Sequence, residues 1–156
     1  MRSIIDILES DHDDLRELLR RLLDTTAQAH QARPDLLAQI EEFLSAHTKI
    51  EEEIFYPAVL AAAENEEQQE MIVAAIEEHR AIDARVLPDL KETPVDTIEF
   101  GGRAKVLGEL FEHHADEEED EMFELARELM DEDALRALGE QAMARKRELL
   151  RELRAA

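Results

Sequence analysis

Apolar residues recur at steps of three and four along five stretches of the chain, the spacing that places them on one face of an α-helix. The pattern predicts helices over about residues 3–28, 35–65, 67–90 and 95–130, and a fifth from about Asp133. These stretches are rich in Leu, Ala, Glu and Arg, which lose little on entering a helix. The predicted class is all-α. Pro57 falls inside the second stretch and should kink that helix or loosen one of its hydrogen bonds.

In each of the first four stretches a histidine stands where an apolar residue would complete the stripe. Two of these histidines are followed by a glutamate four residues later, on the same helical face. Burying a charged group costs several kcal/mol unless it is paired or bound to a metal. The residues concerned are His12, His47, Glu51, His79, His114 and Glu118.

The same pattern occurs twice in the chain. Each member of the first set, His12, His47 and Glu51, has a counterpart of the same type 67 residues later. Two repeated helical hairpins predict an up-down antiparallel four-helix bundle over residues 1–130. The last segment, 131–156, is predicted as an additional C-terminal helix packed on the bundle.

The repeated residues point to a metal centre, because histidine nitrogen and glutamate oxygen at i and i+4 can reach one ion. A lone histidine on an apolar face is more often a hydrogen-bonded core residue, but fourfold occurrence with repeated spacing favours ligation. Four imidazoles and two carboxylates exceed the four ligands of a structural zinc site, and calcium takes oxygen ligands. The set suits two transition-metal ions about 3.5 to 4 Å apart, bridged by the glutamates. Such ligands favour iron or manganese where these are available, although affinity alone favours copper or zinc.

Composition narrows the range of partners. The formal net charge is −22 over 156 residues, which disfavours nucleic acid and anionic membrane surfaces and attracts cations. There is no cysteine, so disulfides and thiolate ligands are excluded. No apolar run is long enough to span a bilayer and the N-terminus does not resemble a secretory signal. We therefore expect a cytoplasmic protein, a monomer or weak dimer, that acts on a small molecule.

Several other polar residues are interpreted as having no part in the site. Glu52, Glu53 and residues 119–121 are expected to form solvated faces, His113 to lie on the surface and His30 in a loop.

Tyr56 lies about half a turn from His47 on a regular helix, which argues against ligation unless Pro57 distorts the backbone. The alternative to ligation is that Tyr56 lies beside the ligands without binding the metal, or that it takes part in redox chemistry.

The pattern His12, His47-x-x-x-Glu51, His79, His114-x-x-x-Glu118 resembles the hemerythrin family, in particular the bacterial hemerythrin-like or HHE cation-binding group. The likeness extends over about residues 4–130 and includes the segments "EEEIFYPA", "EEHRAID" and "HHADEEED". The resemblance implies a non-haem di-iron centre, oxo- or hydroxo-bridged and also bridged by Glu51 and Glu118. Manganese or zinc are expected as substitutes.

The chain departs from the oxygen carriers of that family at two points. Carriers have a fifth histidine where this chain has Asp83, and they place the carboxylate of the fourth helix at i+5, whereas Glu118 is at i+4. Asp83 is either a seventh, acidic ligand or an ion-pair partner for an arginine. A carboxylate beside the metals should stabilise ferric iron and disfavour reversible oxygen binding.

The resemblance therefore implies turnover of small oxidants, chiefly catalase-like disproportionation of hydrogen peroxide, with nitric oxide chemistry as a further activity. The alternative is a sensor or binding protein for oxygen, nitric oxide or iron without turnover. Iron storage is disfavoured because ferritin-like sites use Glu-x-x-His. The reaction pocket is expected to be apolar and lined by Ile50, Ile54, Leu110 and Met122.

Overall fold

The structure, a computed structural model, describes all 156 residues and contains only helices and their connections. The prediction of an all-α protein is confirmed. In chain order the elements are α1 (Ile4–Leu23), α2 (Ala32–Ile50), π1 (Glu51–Phe55), α3 (Tyr56–Ala62), α4 (Glu66–Ala81), π2 (Ile82–Val86), α5 (Leu87–Glu92), α6 (Ile98–Glu117), π3 (Glu118–Met122), α7 (Phe123–Leu129) and α8 (Glu132–Ala155). The π-helical turns join the α-helices on either side, so the first four predicted stretches correspond to residues 4–23, 32–62, 66–92 and 98–129.

Four of these helices begin at a polar residue whose side chain accepts a hydrogen bond from the first turn. The N-cap residues are Ser3, Asn65, Thr97 and Asp131. At Ser3 the capping box is complete, because Asp6 accepts a bond from the Ser3 N–H in return. Such caps satisfy N–H groups that have no partner within the helix.

Pro57 does not end the second helix. The backbone changes to the wider π-helical bonding pattern in the turn before it, and the Tyr56 N–H bonds to the Glu51 carbonyl. A second π turn, π2, precedes Pro88 in the same way. The third, π3, has no proline after it, and like π1 it begins at a buried glutamate. A π turn inserts one residue into the helical register and is frequent at functional sites.

The buried apolar residues form two clusters, and the predicted histidines lie between them. His12 separates Leu8 of one cluster from Leu15 of the other, and His47 lies between Leu44 and Ile50 in the same way. The core is therefore divided by a polar layer at mid-height.

The last helix, α8, packs on one side of the molecule against α1, α2 and π1. Gly139 marks its closest approach, because a Cβ at this position would clash with the backbone of Arg2 to Ile4. Leu135 and Ala142 of α8 join the apolar cluster that contains Ile4 and Ile50. None of the helices combines the length and apolarity needed to cross a membrane.

Candidate metal centre

The six predicted ligand residues meet in the polar layer, and each is at most 4% exposed. His47 Nε2 lies 3.0 Å from Glu51 Oε1 and His114 Nε2 lies 2.6 Å from Glu118 Oε1, so each i, i+4 pair points at one place. His79 Nε2 lies 3.1 Å from Glu51, and His12 Nε2 lies 3.7 Å from Glu118.

These residues form two groups that share both glutamates. The first comprises His12 and His47 with Glu51 and Glu118, and the second comprises His79 and His114 with the same glutamates. Within each group the four ligand atoms lie within 4.8 Å of one another. This geometry matches two ions with bridging carboxylates.

The polar atoms at the centre lack hydrogen-bond partners. Both nitrogens of His12, Nε2 of His47 and all four carboxylate oxygens of Glu51 and Glu118 are buried without one. An unsatisfied buried polar group costs about 1–3 kcal/mol, more if charged. His79 Nε2 and His114 Nε2 lie 3.0 Å apart, and two neutral imidazoles that donate from Nδ1 to the carboxylates of Glu52 and Glu78 would direct lone pairs at each other there. Cations at this place would satisfy the carboxylate oxygens and the inner Nε2 atoms of the histidines, so the residues fit a metal centre.

Each of the four histidines contacts a further carboxylate through its outer nitrogen, Nδ1. The distances are 3.1 Å from His47 to Asp11, 3.2 Å from His79 to Glu52, 3.1 Å from His114 to Glu78 and 3.5 Å from His12 to Glu119. A carboxylate on the outer nitrogen orients the ring and makes the inner nitrogen a better metal ligand.

Sequence reasoning missed these outer carboxylates and wrongly treated Glu52 and Glu119 as solvated only. The signal was present in the repeat: Asp11 and Glu52 have Glu78 and Glu119 as counterparts at the same 67-residue offset as the ligands. Two of the four adjoin a histidine in sequence and two adjoin a ligand glutamate, but each contacts a histidine from another helix. Only the packed helices show those pairings.

The outer carboxylates of the two groups differ in their charge partners. In the first group Asp11 pairs with Lys146 of α8, and Glu119 lies 2.7 Å from Arg16. In the second group neither Glu52 nor Glu78 pairs with a lysine or arginine. The second group therefore carries more uncompensated negative charge.

Charge coupling within the layer is strong. Burial disfavours the charged form of His47, but Glu51 and Asp11 outweigh it and raise its pKa to about 10. Burial also disfavours the charged forms of His79 and His114, but nearby carboxylates raise the pKa of both. The main one is Glu51 for His79 and Glu118 for His114. Burial would raise the pKa of Glu51, yet His47 and its other partners hold it well below the usual range. Ionised carboxylates are the state that binds cations.

Tyr56 is 1% exposed and its hydroxyl lies 3.3 Å from His79 Nε2 and 3.4 Å from His114 Nε2. Tyr56 therefore adjoins the second group. A regular helix would direct its side chain elsewhere, and the π1 turn before it changes the helical register. Burial, followed by the charges of Glu51 and Glu118, raises the pKa of Tyr56 well above its ordinary value. Its counterpart in the repeat, Phe123, stacks on His12 of the first group at 5.7 Å between ring centres.

Asp83 belongs to neither group and forms no ion pair with an arginine, so the structure shows neither of the two arrangements expected for it. Asp83 is an exposed residue of π2. Partial burial of its carboxylate and the nearby charge of Glu52 raise its pKa. Leu110 is 37% exposed and does not line the site, a correction to the expected pocket. His113 and His30 are exposed, as expected.

Comparison with known proteins gives two findings. The model of the hemerythrin HHE cation-binding domain matches residues 3–126. Among solved structures, a hemerythrin HHE cation-binding domain-containing protein from Mycobacterium kansasii, a homolog of Rv2633c, superposes with a TM-score of 0.83 at 28% identity. That match covers 99% of this chain and 93% of the other. No curated protein matches the sequence.

Proposed function

The chain belongs to the hemerythrin HHE cation-binding family, and from this premise we propose that it is a non-haem di-iron protein that disproportionates hydrogen peroxide. The observation that carries the proposal is the buried set of histidine nitrogens and carboxylate oxygens without hydrogen-bond partners. Bound cations would satisfy such a set in an otherwise apolar core.

We further propose that residues 1–130 form an up-down four-helix bundle and that residues 131–156 add a helix against it. The contacts of α1 with α2 and α6, and of α3 with α4 and α7, support this arrangement. It brings one histidine from each of four helical stretches to the same level.

In the proposed ligand assignment, His12 and His47 bind one ion and His79 and His114 bind the other. Glu51 and Glu118 are shared, as expected from their place in both groups. Iron is the proposed metal, with manganese or zinc as substitutes, because mixed imidazole and carboxylate ligands suit these ions.

The metal pair would supply the electron exchange of the reaction, in which two molecules of hydrogen peroxide give two of water and one of oxygen. The protein supplies the surroundings. Ile50 and Phe55 are fully buried and exclude bulk water from one side of the layer. Tyr56 holds a proton that its raised pKa keeps on the phenol oxygen. Its hydroxyl is placed to donate a hydrogen bond towards a ligand bound beside His79 and His114.

The test is metal content, visible spectrum and peroxide-driven oxygen release, measured on one preparation grown with iron. Two irons per chain and rapid oxygen release are expected. Two irons without oxygen release would instead favour a sensor or binding protein, and less than one metal per chain would refute the metal centre.

Tyr56→Phe is the matched variant, because it copies the counterpart Phe123 and removes only the hydroxyl. We expect unchanged iron content and slower oxygen release, by about ten- to a hundredfold, because a hydrogen bond to a charged group contributes about 1.5–3 kcal/mol. An unchanged rate would remove Tyr56 from the mechanism.

A further inference from the structure

A pocket of about 320 Å³ opens on the surface between α4 and the junction of α6 with π3. Its outer wall carries exposed carboxylates and its inner end is formed by His114 and Glu118, which are at most 2% exposed. The carboxylate oxygens of Glu118 have no hydrogen-bond partner. The acidic residues that line the pocket are Glu67, Glu70, Glu78, Glu117, Glu118 and Glu121, and no lysine or arginine lines it.

The counterpart of this pocket in the other half of the repeat is closed. Glu117 and Glu121 correspond to Ile50 and Ile54, and Ala74 corresponds to Ile7. The three isoleucines belong to, or pack against, the apolar cluster to which α8 contributes. The same backbone positions are therefore filled by isoleucine and covered in one half, and by glutamate or the smaller alanine in the open half.

Resting on the proposed metal centre, we propose that this acidic pocket is the route by which divalent cations reach the buried ligands, with a transit site at Glu78, His113 and Glu117. One ligand atom from each of these three residues lies within 4.8 Å of the others. His113 Nε2 lies 3.1 Å from Glu117 and 3.6 Å from Glu78.

Glu78 links the proposed transit site at the surface to the buried ligand layer. One of its carboxylate oxygens faces the exposed His113, and the other lies 3.1 Å from Nδ1 of the buried His114. A cation held at His113 is thus one side chain away from the second group of ligands. The pocket has space for about ten water molecules at about 30 Å³ each, so a cation can enter with part of its hydration shell.

Charge favours this side of the molecule over the other. A groove lined by carboxylates raises the local cation concentration and the rate of association. On the covered side Lys146 pairs with Asp11 and would repel an incoming cation. Loading should therefore proceed through the second half of the repeat.

The experiment follows the uptake of Co²⁺ by metal-free protein, using the visible absorption of bound cobalt in stopped flow. The test variant is E117Q/E121Q, which keeps side-chain size and removes two charges from the pocket rim. The control variant is E92Q/E140Q, which removes two exposed charges that line neither the pocket nor the ligand layer.

The test variant is expected to load at least about fivefold more slowly at low ionic strength, with the same final cobalt content, and the difference should shrink in salt. The control should load at close to the parental rate. A second variant, E117I/E121I, copies the closed half and should slow both loading and extraction of bound cobalt by a chelator.

Equal rates for the parent and E117Q/E121Q would overturn the proposed route, as would equal slowing by the control. Failure of the parent to bind cobalt at all would refute the metal centre itself. The two failures are distinct, because the first leaves the cobalt content intact.

Discussion

The two halves of the repeat carry the same ligands and an outer carboxylate at each equivalent position. They differ in the charge partners of those carboxylates and in what covers the surface outside them. Around His12 and His47 the outer carboxylates pair with Arg16 and Lys146, and α8 covers the surface. Around His79 and His114 they have no lysine or arginine partner, and a pocket reaches the ligands. The residue in the position of Arg16 is Asp83.

This difference separates the residues that hold the cations from the residues that control access and charge around them. Holding cations requires only the repeated inner residues, and these are the same in both halves. Access, charge balance and the proposed role of Tyr56 depend on residues that the repeat does not preserve, such as Lys146, Tyr56 and Glu121. A symmetric ligand set thus lies in an asymmetric environment, which offers one open side for small molecules.

The largest effect is expected from Glu51→Ala, because both groups share this carboxylate. Metal content should fall from about two ions per chain to below about half an ion, and the loss of bound metal should lower thermal stability. Elemental analysis and thermal unfolding measure the two quantities. Glu128→Ala, at an exposed position on α7, is the control and should change neither. Full metal content in Glu51→Ala would contradict the shared-ligand assignment.

His47→Ala and His114→Ala compare the halves directly. Each should lose about one ion per chain and lose stability, because the remaining buried carboxylates are then less well neutralised. Added imidazole should restore metal content in His114→Ala, because His114 lines the pocket, but not in His47→Ala, which α8 covers. Equal rescue of both variants would show that the halves do not differ in access.

Gly139→Ala tests the cover on the first half. The added methyl group meets the backbone of Arg2 to Ile4, so we expect a loss of about 1–3 kcal/mol in the free energy of unfolding. Hydrogen exchange should accelerate in α8 and at the start of α1. Gly102→Ala is the matched control, because a Cβ there meets nothing within 4 Å. The control should be neutral or stabilising by up to about 1 kcal/mol, since alanine favours a helix.

The smallest effect is expected from Asp83→Arg, which copies Arg16 at the equivalent position of the second half. Replacing a negative by a positive charge near Glu52 should make the proposed iron centre easier to reduce. The reduction potential should rise by roughly 20–60 mV, because an exposed charge acts through water and its effect is about 1 kcal/mol or less. Asp83→Asn should give a smaller rise, and a fall in either variant would contradict the charge argument.

Much of the fold and of the candidate site was predictable because helical periodicity is local. The steps of three and four, broken only by His12, His47, His79 and His114, indicated both the helices and the layer in which these histidines meet. A regular helix would direct Tyr56 away from the ligands, and the change of register at π1 brings it beside them; helical periodicity does not predict a π turn. The outer carboxylates were missed because Glu52 and Glu119 recur at the same offset as the ligands, but so do the acidic residues beside them, Glu53 and Asp120, and the repeat alone does not single out the pair.

The sequence by itself determined the all-helical class, the repeat and the identity of the residues that meet in the polar layer. Periodicity and spacing are properties of a single helix, so they can be recognised without knowing how that helix packs against others. The tertiary structure alone decided which carboxylate orients which histidine, that Tyr56 adjoins the second group, and that one side is covered while the other is open. Each of these depends on contacts between distant segments, such as Asp11 with Lys146 and Arg16 with Glu119, which packing creates and the local pattern does not contain.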